Sequence, residues 1–115
     1  MLFIISPSET IQSVQEKFIQ YFKNMNIEFF SKSHKKGKSS NLKFMCFDKQ
    51  MELKNLGLKS DFEIEINDQS IVWELENKFE QEANLFIQLF RKENGQWVMT
   101  ESSDEWTMYK ANASV

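Results

Sequence analysis

Residues 86–100 read FIQLFRKENGQWVMT, and this stretch decides the fold. Two runs rich in β-branched and aromatic residues, 86–93 and 96–100, flank Asn94-Gly95. Asn-Gly takes the positive φ angles of a type I′ turn, whose twist matches that of two antiparallel strands. A two-residue turn also fixes register, so Phe90 faces Met99 and Lys92 faces Trp97. One face of the hairpin then carries Phe90, Trp97 and Met99, with the Lys92 ammonium able to lie over the indole. Ile87 and Leu89 point the other way. An antiparallel sheet with apolar residues on one face needs a second layer to bury them.

That layer stands just upstream. Val72, Leu75, Phe79 and Ala83 recur at helical spacing, and Asp68 or Ser70 is expected to cap the helix. Before it, Phe62, Ile64 and Ile66 alternate with Glu63, Glu65 and Asn67, the pattern of a half-buried strand. Residues 104–112 follow the hairpin with an acidic cap and a short helix. The same order occurs earlier: an apolar run at 2–6, a helix with Ile11, Val14, Phe18, Phe22 and Met25 on one face, and Ser8 or Thr10 as its cap. Two strands at 26–33 and 41–47 follow, joined by a longer loop, then a helical stretch at 48–56 that Gly57 stops.

Sliding the chain on itself supports a repeat. An offset of 61 aligns Ile5, Lys17, Phe18 and Gln20 with Ile66, Lys78, Phe79 and Gln81. An offset of 60 aligns Ile27, Phe30 and Lys32 with Ile87, Phe90 and Lys92, and one of 56 aligns Asp48 and Lys54 with Asp104 and Lys110. The expected fold class is therefore α+β: two β-α-β-β-(short α) repeats with pseudo-twofold symmetry, forming a mainly antiparallel sheet with two long helices on one face. The chain is read as one domain, 1–115, with repeats 1–57 and 61–112.

Several segments carry a resemblance. Ile27-Glu28-Phe29-Phe30 with His34, and Phe90-Arg91-Lys92 with Gly95, Trp97 and Asp104-Glu105-Trp106-Thr107, resemble a group of small, uncharacterised two-repeat bacterial α+β proteins. The likeness covers nearly the whole chain and implies the domain limits, but no activity.

Composition excludes several classes. With 41% hydrophobic residues, three Gly and one Pro, the 115-residue chain is neither collagen-like nor low-complexity disorder. It has no apolar run near the ~18 residues of a membrane span, and 1–5 is too short for a secretory signal. A lone Cys46 forms no internal disulfide, so the expected setting is cytoplasmic, without membrane contact. Charge is divided: 1–57 holds nine Lys against five acids, a net of +4, and 58–115 holds five bases against twelve acids, a net of −7.

Candidate chemistry is sparse. The one histidine, His34, lies in a Ser- and Lys-rich loop at 33–40 expected to be the most mobile internal segment. It could pair with Ser33, Ser39 or Ser40, but no orienting carboxylate is near in sequence, so a solvated loop histidine is expected. Metal ligands are not clustered, no Gly-rich phosphate loop is present, and no cofactor is implied. Glu74, Glu76, Glu80 and Glu82 read as a solvated helix face. The chain is thus expected to be a protein-interaction module, self-associating or binding another protein, rather than an enzyme. The candidate surface is Phe30, Phe90, Lys92, Trp97 and Met99, a face expected to be covered either by Trp106, Tyr109 and neighbouring tail residues or by a partner. The alternative is a single-stranded nucleic-acid binder in which Lys32, His34, Lys35, Lys36, Lys38 and Lys43 hold phosphates while aromatics stack bases. A pI near 5.2 weighs against it.

Overall fold

The computed structural model describes residues 1–38 and 40–113. Along the chain run β1 (Leu2–Ile5), α1 (Ile11–Tyr21), β2 (Met25–Phe30), β3 (Phe62–Glu65), α2 (Val72–Ala83), β4 (Phe86–Glu93), β5 (Gln96–Met99) and α3 (Met108–Asn112). Three short 3-10 turns lie at Leu42–Phe44, Leu53–Leu56 and Glu101–Ser103. The fold is α+β, but its strands form two antiparallel sheets rather than the one expected: β1 with β3, and β2-β4-β5. The β1–β3 ladder is four residues long, from Leu2 opposite Glu65 to Ile5 opposite Phe62. Pro7, two residues beyond β1, cannot donate to a ladder, and the chain turns there into α1.

The second sheet has the register that Asn94-Gly95 dictates. Both turn residues have positive φ, 53° and 78°, and Phe90 faces Met99 as Lys92 faces Trp97. On the other side of β4, Ile27 faces Leu89 and Phe29 faces Ile87. All four are buried in the core. The hairpin expected at 26–33 and 41–47 is reduced to one bridge, Phe30 with Met45. Its loop is no tight turn and fixes no register. Asn41 instead accepts a hydrogen bond from Lys43 N and starts the 3-10 turn at Leu42–Phe44.

α2 buries its expected stripe of Val72, Leu75, Phe79 and Ala83; α1 buries Ile11, Val14 and Phe18 but ends at Tyr21, so Phe22 is its C-cap and Met25, expected on the same helix face, begins β2. Phe18 meets Phe3 edge-on at 6.2 Å and Phe79 meets Phe62 edge-on at 5.2 Å. Thr10 caps α1 by accepting from Ser13 N. α2 departs from expectation, because neither Asp68 nor Ser70 caps it; Ile71 precedes it without a side-chain cap.

The orphan N–H groups of both helix starts go to carbonyls of distant segments. Ile11 N and Gln12 N donate to Met51 O and Lys49 O, and Val72 N and Trp73 N donate to Trp106 O and Asp104 O. Leu53 N and Lys54 N return to Glu9 O and Pro7 O, as Met108 N and Tyr109 N return to Ser70 O and Asp68 O. The matching bonds are spaced by 61 and by 55 residues, where side-chain identities gave 61 and 56.

Gly57 ends the turn at Leu53–Leu56 with φ 125°, and a Cβ there would stand 2.7 Å from the Asn84 side chain. Among the described residues, no helix is long and apolar enough to cross a membrane. The packing of the two helices gives a first prediction. Phe18→Ala and Phe79→Ala should each lose about 3–5 kcal/mol in denaturant melts, the cost of emptying a packed ring site. Losses below about 1 kcal/mol would place those rings outside the core.

Candidate functional site

Among its described residues, the chain between β2 and the Leu42–Phe44 turn is anchored at His34, Gly37 and Ser40, while the lysines around them stay exposed. The His34 side chain is 6% exposed, a correction to the expected open loop histidine. It stands edge-on to Trp73 at 5.7 Å and faces Glu76 one helical turn further along α2. Gly37 N donates to Asp104 Oδ2 at 2.7 Å, and Lys36 pairs with Glu105. Ser40 gives both its backbone N–H and its hydroxyl to Gln88 Oε1, each at 3.1 Å. Ser39 lies outside the described residues.

The loop docks on a defect in the sheet edge. In an antiparallel ladder the N–H and C=O of one residue point toward the same neighbour. Leu89 O accepts from Thr100 N, but β5 ends at Met99, and Leu89 N has no strand carbonyl to meet. It donates instead to Glu76 Oε2 at 2.7 Å. The same oxygen accepts from Gln88 Nε2 at 3.2 Å. Glu76, expected on a solvated helix face, is therefore 3% exposed.

Three donor atoms of different segments converge here: one ligand atom each of His34, Glu76 and Asp104, all within 4.8 Å of one another. His34 Nε2 is 3.3 Å from Glu76 Oε1, and its Nδ1 is 3.1 Å from Ser40 Oγ. Burial alone would lower the His34 pKa, but the bond to Glu76 and the charges of Glu76, Asp104 and Glu80 outweigh it and raise it. Burial pushes the Glu76 carboxyl up, only partly offset by His34 and Leu89 N–H. Burial raises Asp104 as well, against the pull of Gly37 N–H and His34. All three groups hold protons more tightly than in an unfolded chain.

The serine that could have paired with His34 is thus Ser40, and the carboxylate missing from the local sequence is Glu76. Yet Ser40 is 7% exposed, and its hydroxyl links His34 to Gln88 under the loop. The arrangement clamps a loop more readily than it offers a nucleophile.

The outer sheet face is a second site. Lys92 Nζ lies 5.2 Å from the Trp97 ring centre. Leu42, Phe90, Trp97 and Met99 line an open groove of about 500 Å³. Trp97 is 42% exposed; Phe90 and Met99 are half-buried. Phe30 does not join this groove, being buried beside its bridge to Met45. Trp106 stacks at 4.8 Å on Arg91, which lines the groove, but is not itself among the lining residues. The basic residues are dispersed: Lys32 and Lys43 lie over Phe44, Lys36 is paired, and Lys35 and Lys38 are exposed. Cys46 packs partly buried against the core. No protein family, curated protein or solved structure matches the chain.

The excess of bound protons predicts a pH dependence with a definite sign. A group whose folded pKa is raised contributes stability that is present below its unfolded pKa and is lost as pH rises through the folded one. The melting temperature should therefore decline as pH rises from the ordinary carboxylate range through and above the ordinary histidine range. Glu76→Gln should flatten that decline. A stability that climbs over this range, unchanged by the substitution, would contradict the buried cluster.

Proposed function

We propose that the chain is a protein-interaction module built from two similar halves, with both long helices on one face of the β2-β4-β5 sheet and the other face serving as the binding surface. One observation carries the reading: Leu42, Phe90, Trp97 and Met99 gather in one open groove, rimmed by Arg91 and Glu93, whose lining does not include Trp106 or Tyr109. Large apolar side chains gathered in one patch mark a contact surface more often than chance exposure does. Lys92 extends over the Trp97 indole, holding the ring in place at the rim. The opposed net charges of the halves, +4 and −7, favour a partner that arrives in one orientation, another copy of the chain included. Enclosure of Ser40 and His34 supports a binding role over a hydrolytic one.

Trp97→Glu tests the reading. Light scattering on the native chain reports self-association, and affinity capture run side by side with the variant reports other partners. The expected result is a variant that melts within about 1 kcal/mol of the native protein, as a surface change should, but loses the oligomer or the captured partner. A variant that keeps its mass and every partner removes the groove from function. Salt-sensitive binding of mixed single-stranded oligonucleotides by the native chain would instead favour the nucleic-acid reading.

A further inference from the structure

The cluster beneath the loop is short of one positive charge, and a comparison within the chain shows where that charge belongs. The backbone bonds from Gln12 N to Lys49 O and from Trp73 N to Asp104 O put Lys49 and Asp104 at matching places against their helices. Three residues further along those helices stand Gln15 and Glu76, and Glu28 and Gln88 face each other across β2 and β4. In the first half, Gln15 Nε2 donates to Glu28 Oε1 at 3.0 Å, and Lys49 binds the same carboxylate. One carboxylate there meets one fixed ammonium. In the second half the amide and carboxylate exchange places, with Gln88 Nε2 donating to Glu76 Oε2. A second carboxylate, Asp104, then stands where the ammonium would be. Two buried acids face a single histidine.

Each of the three groups is held by one atom and has another to spare. Glu76 Oε2 is engaged by Leu89 and Gln88, Asp104 Oδ2 by Gly37, and His34 Nδ1 by Ser40. Asp104 is 3% exposed, and its Oδ1 is buried without a hydrogen-bond partner among the described residues. Glu76 Oε1 has only His34 Nε2 beside it. If the Ser40 hydroxyl goes to Gln88 Oε1, Nδ1 donates to Ser40, and release of the Nε2 proton on metal binding frees the lone pair beside that oxygen. The orientation of Gln88 is fixed, since a flipped amide would set its oxygen against Glu76 and Leu89 O. One donor atom from each group lies within 4.8 Å of the others, and each group also has an atom anchored by a hydrogen bond, the makings of a ligand set with its supporting bonds in place.

We propose that His34, Glu76 and Asp104 bind one divalent transition-metal ion, Zn²⁺ by their donor chemistry, and that the ion locks the 33–40 loop onto α2 and the sheet edge. One imidazole nitrogen and two carboxylate oxygens suit Zn²⁺, which bonds both at about 2.0–2.2 Å. Two donors of a tetrahedron of that size stand about 3.3–3.5 Å apart, and His34 Nε2 and Glu76 Oε1 are already at 3.3 Å. Asp104 closes on the ion from within 4.8 Å, and water completes the shell.

Chelator-treated full-length protein titrated with Zn²⁺ alone in a calorimeter should bind one ion per chain. The melting midpoint should rise by about 10 °C at a hundredfold excess over Kd. Asp104→Asn and His34→Gln, each of nearly unchanged shape, should weaken binding by more than about 100-fold, beyond the loss a supporting residue causes. Circular dichroism checks that both variants are folded. Ser40→Ala should weaken binding by about 10–100-fold, and Cys46→Ser should leave it unchanged. Co²⁺ added to the unaltered chain should give the intense visible bands of low-coordinate cobalt, a readout independent of any variant. Absence of binding to the folded chain, cobalt bands of six-coordinate weakness, or equal binding by folded Asp104→Asn and His34→Gln would overturn the site.

Discussion

A buried carboxylate finishes the central sheet. β5 stops one residue short of serving Leu89, and a backbone N–H left open at a sheet edge in the core costs about 1–3 kcal/mol. Glu76 meets it from α2. Having entered the core to do so, the carboxylate must itself be compensated, because a buried charge without partners is unstable. Gln88, Thr100 and His34 gather around it for that reason, and the loop follows His34.

The consequences run outward along the chain. His34 brings the loop from the end of β2 across to α2. Gly37 then reaches Asp104, and Ser40 crosses the Gln88 row on the outer face. The loop thereby divides that face. Phe30 falls on the side closed by Met45, while Phe90, Trp97 and Met99 remain on the open side with Leu42.

Much of the framework was legible because it rests on local chemistry. Asn94-Gly95 demanded its turn and register, the stripes on α1 and α2 gave their buried faces, and Gly57 marked a stop through its positive φ. Strands that depend on distant partners were less legible. Nothing local told that β1 and β3 would stand apart as their own sheet, or that 41–47 would make only a bridge. The site was missed for a related reason: His34 and Glu76 stand 42 residues apart, and both are of types usually exposed yet are buried here. One signal was available. Glu76 follows Leu75 and lies three residues before Phe79 and four after Val72, inside the apolar stripe rather than opposite it. An acid in that position is a candidate for burial with a partner, and the lone histidine was the partner to seek.

Amide hydrogen exchange tests the dependence of loop and sheet edge on Glu76 most directly. In the native chain at neutral pH, the amides of Leu89, Gly37 and Ser40 should all be protected, each having an acceptor in the cluster. In Glu76→Ala the three should lose protection together, while Asn26 and Glu28, which face Phe90 and Gln88 in the intact part of the ladder, keep most of theirs. Gly37 and Ser40 exchanging in the native chain as fast as an open loop would contradict the account, as would protection of all three that survives the removal of Glu76.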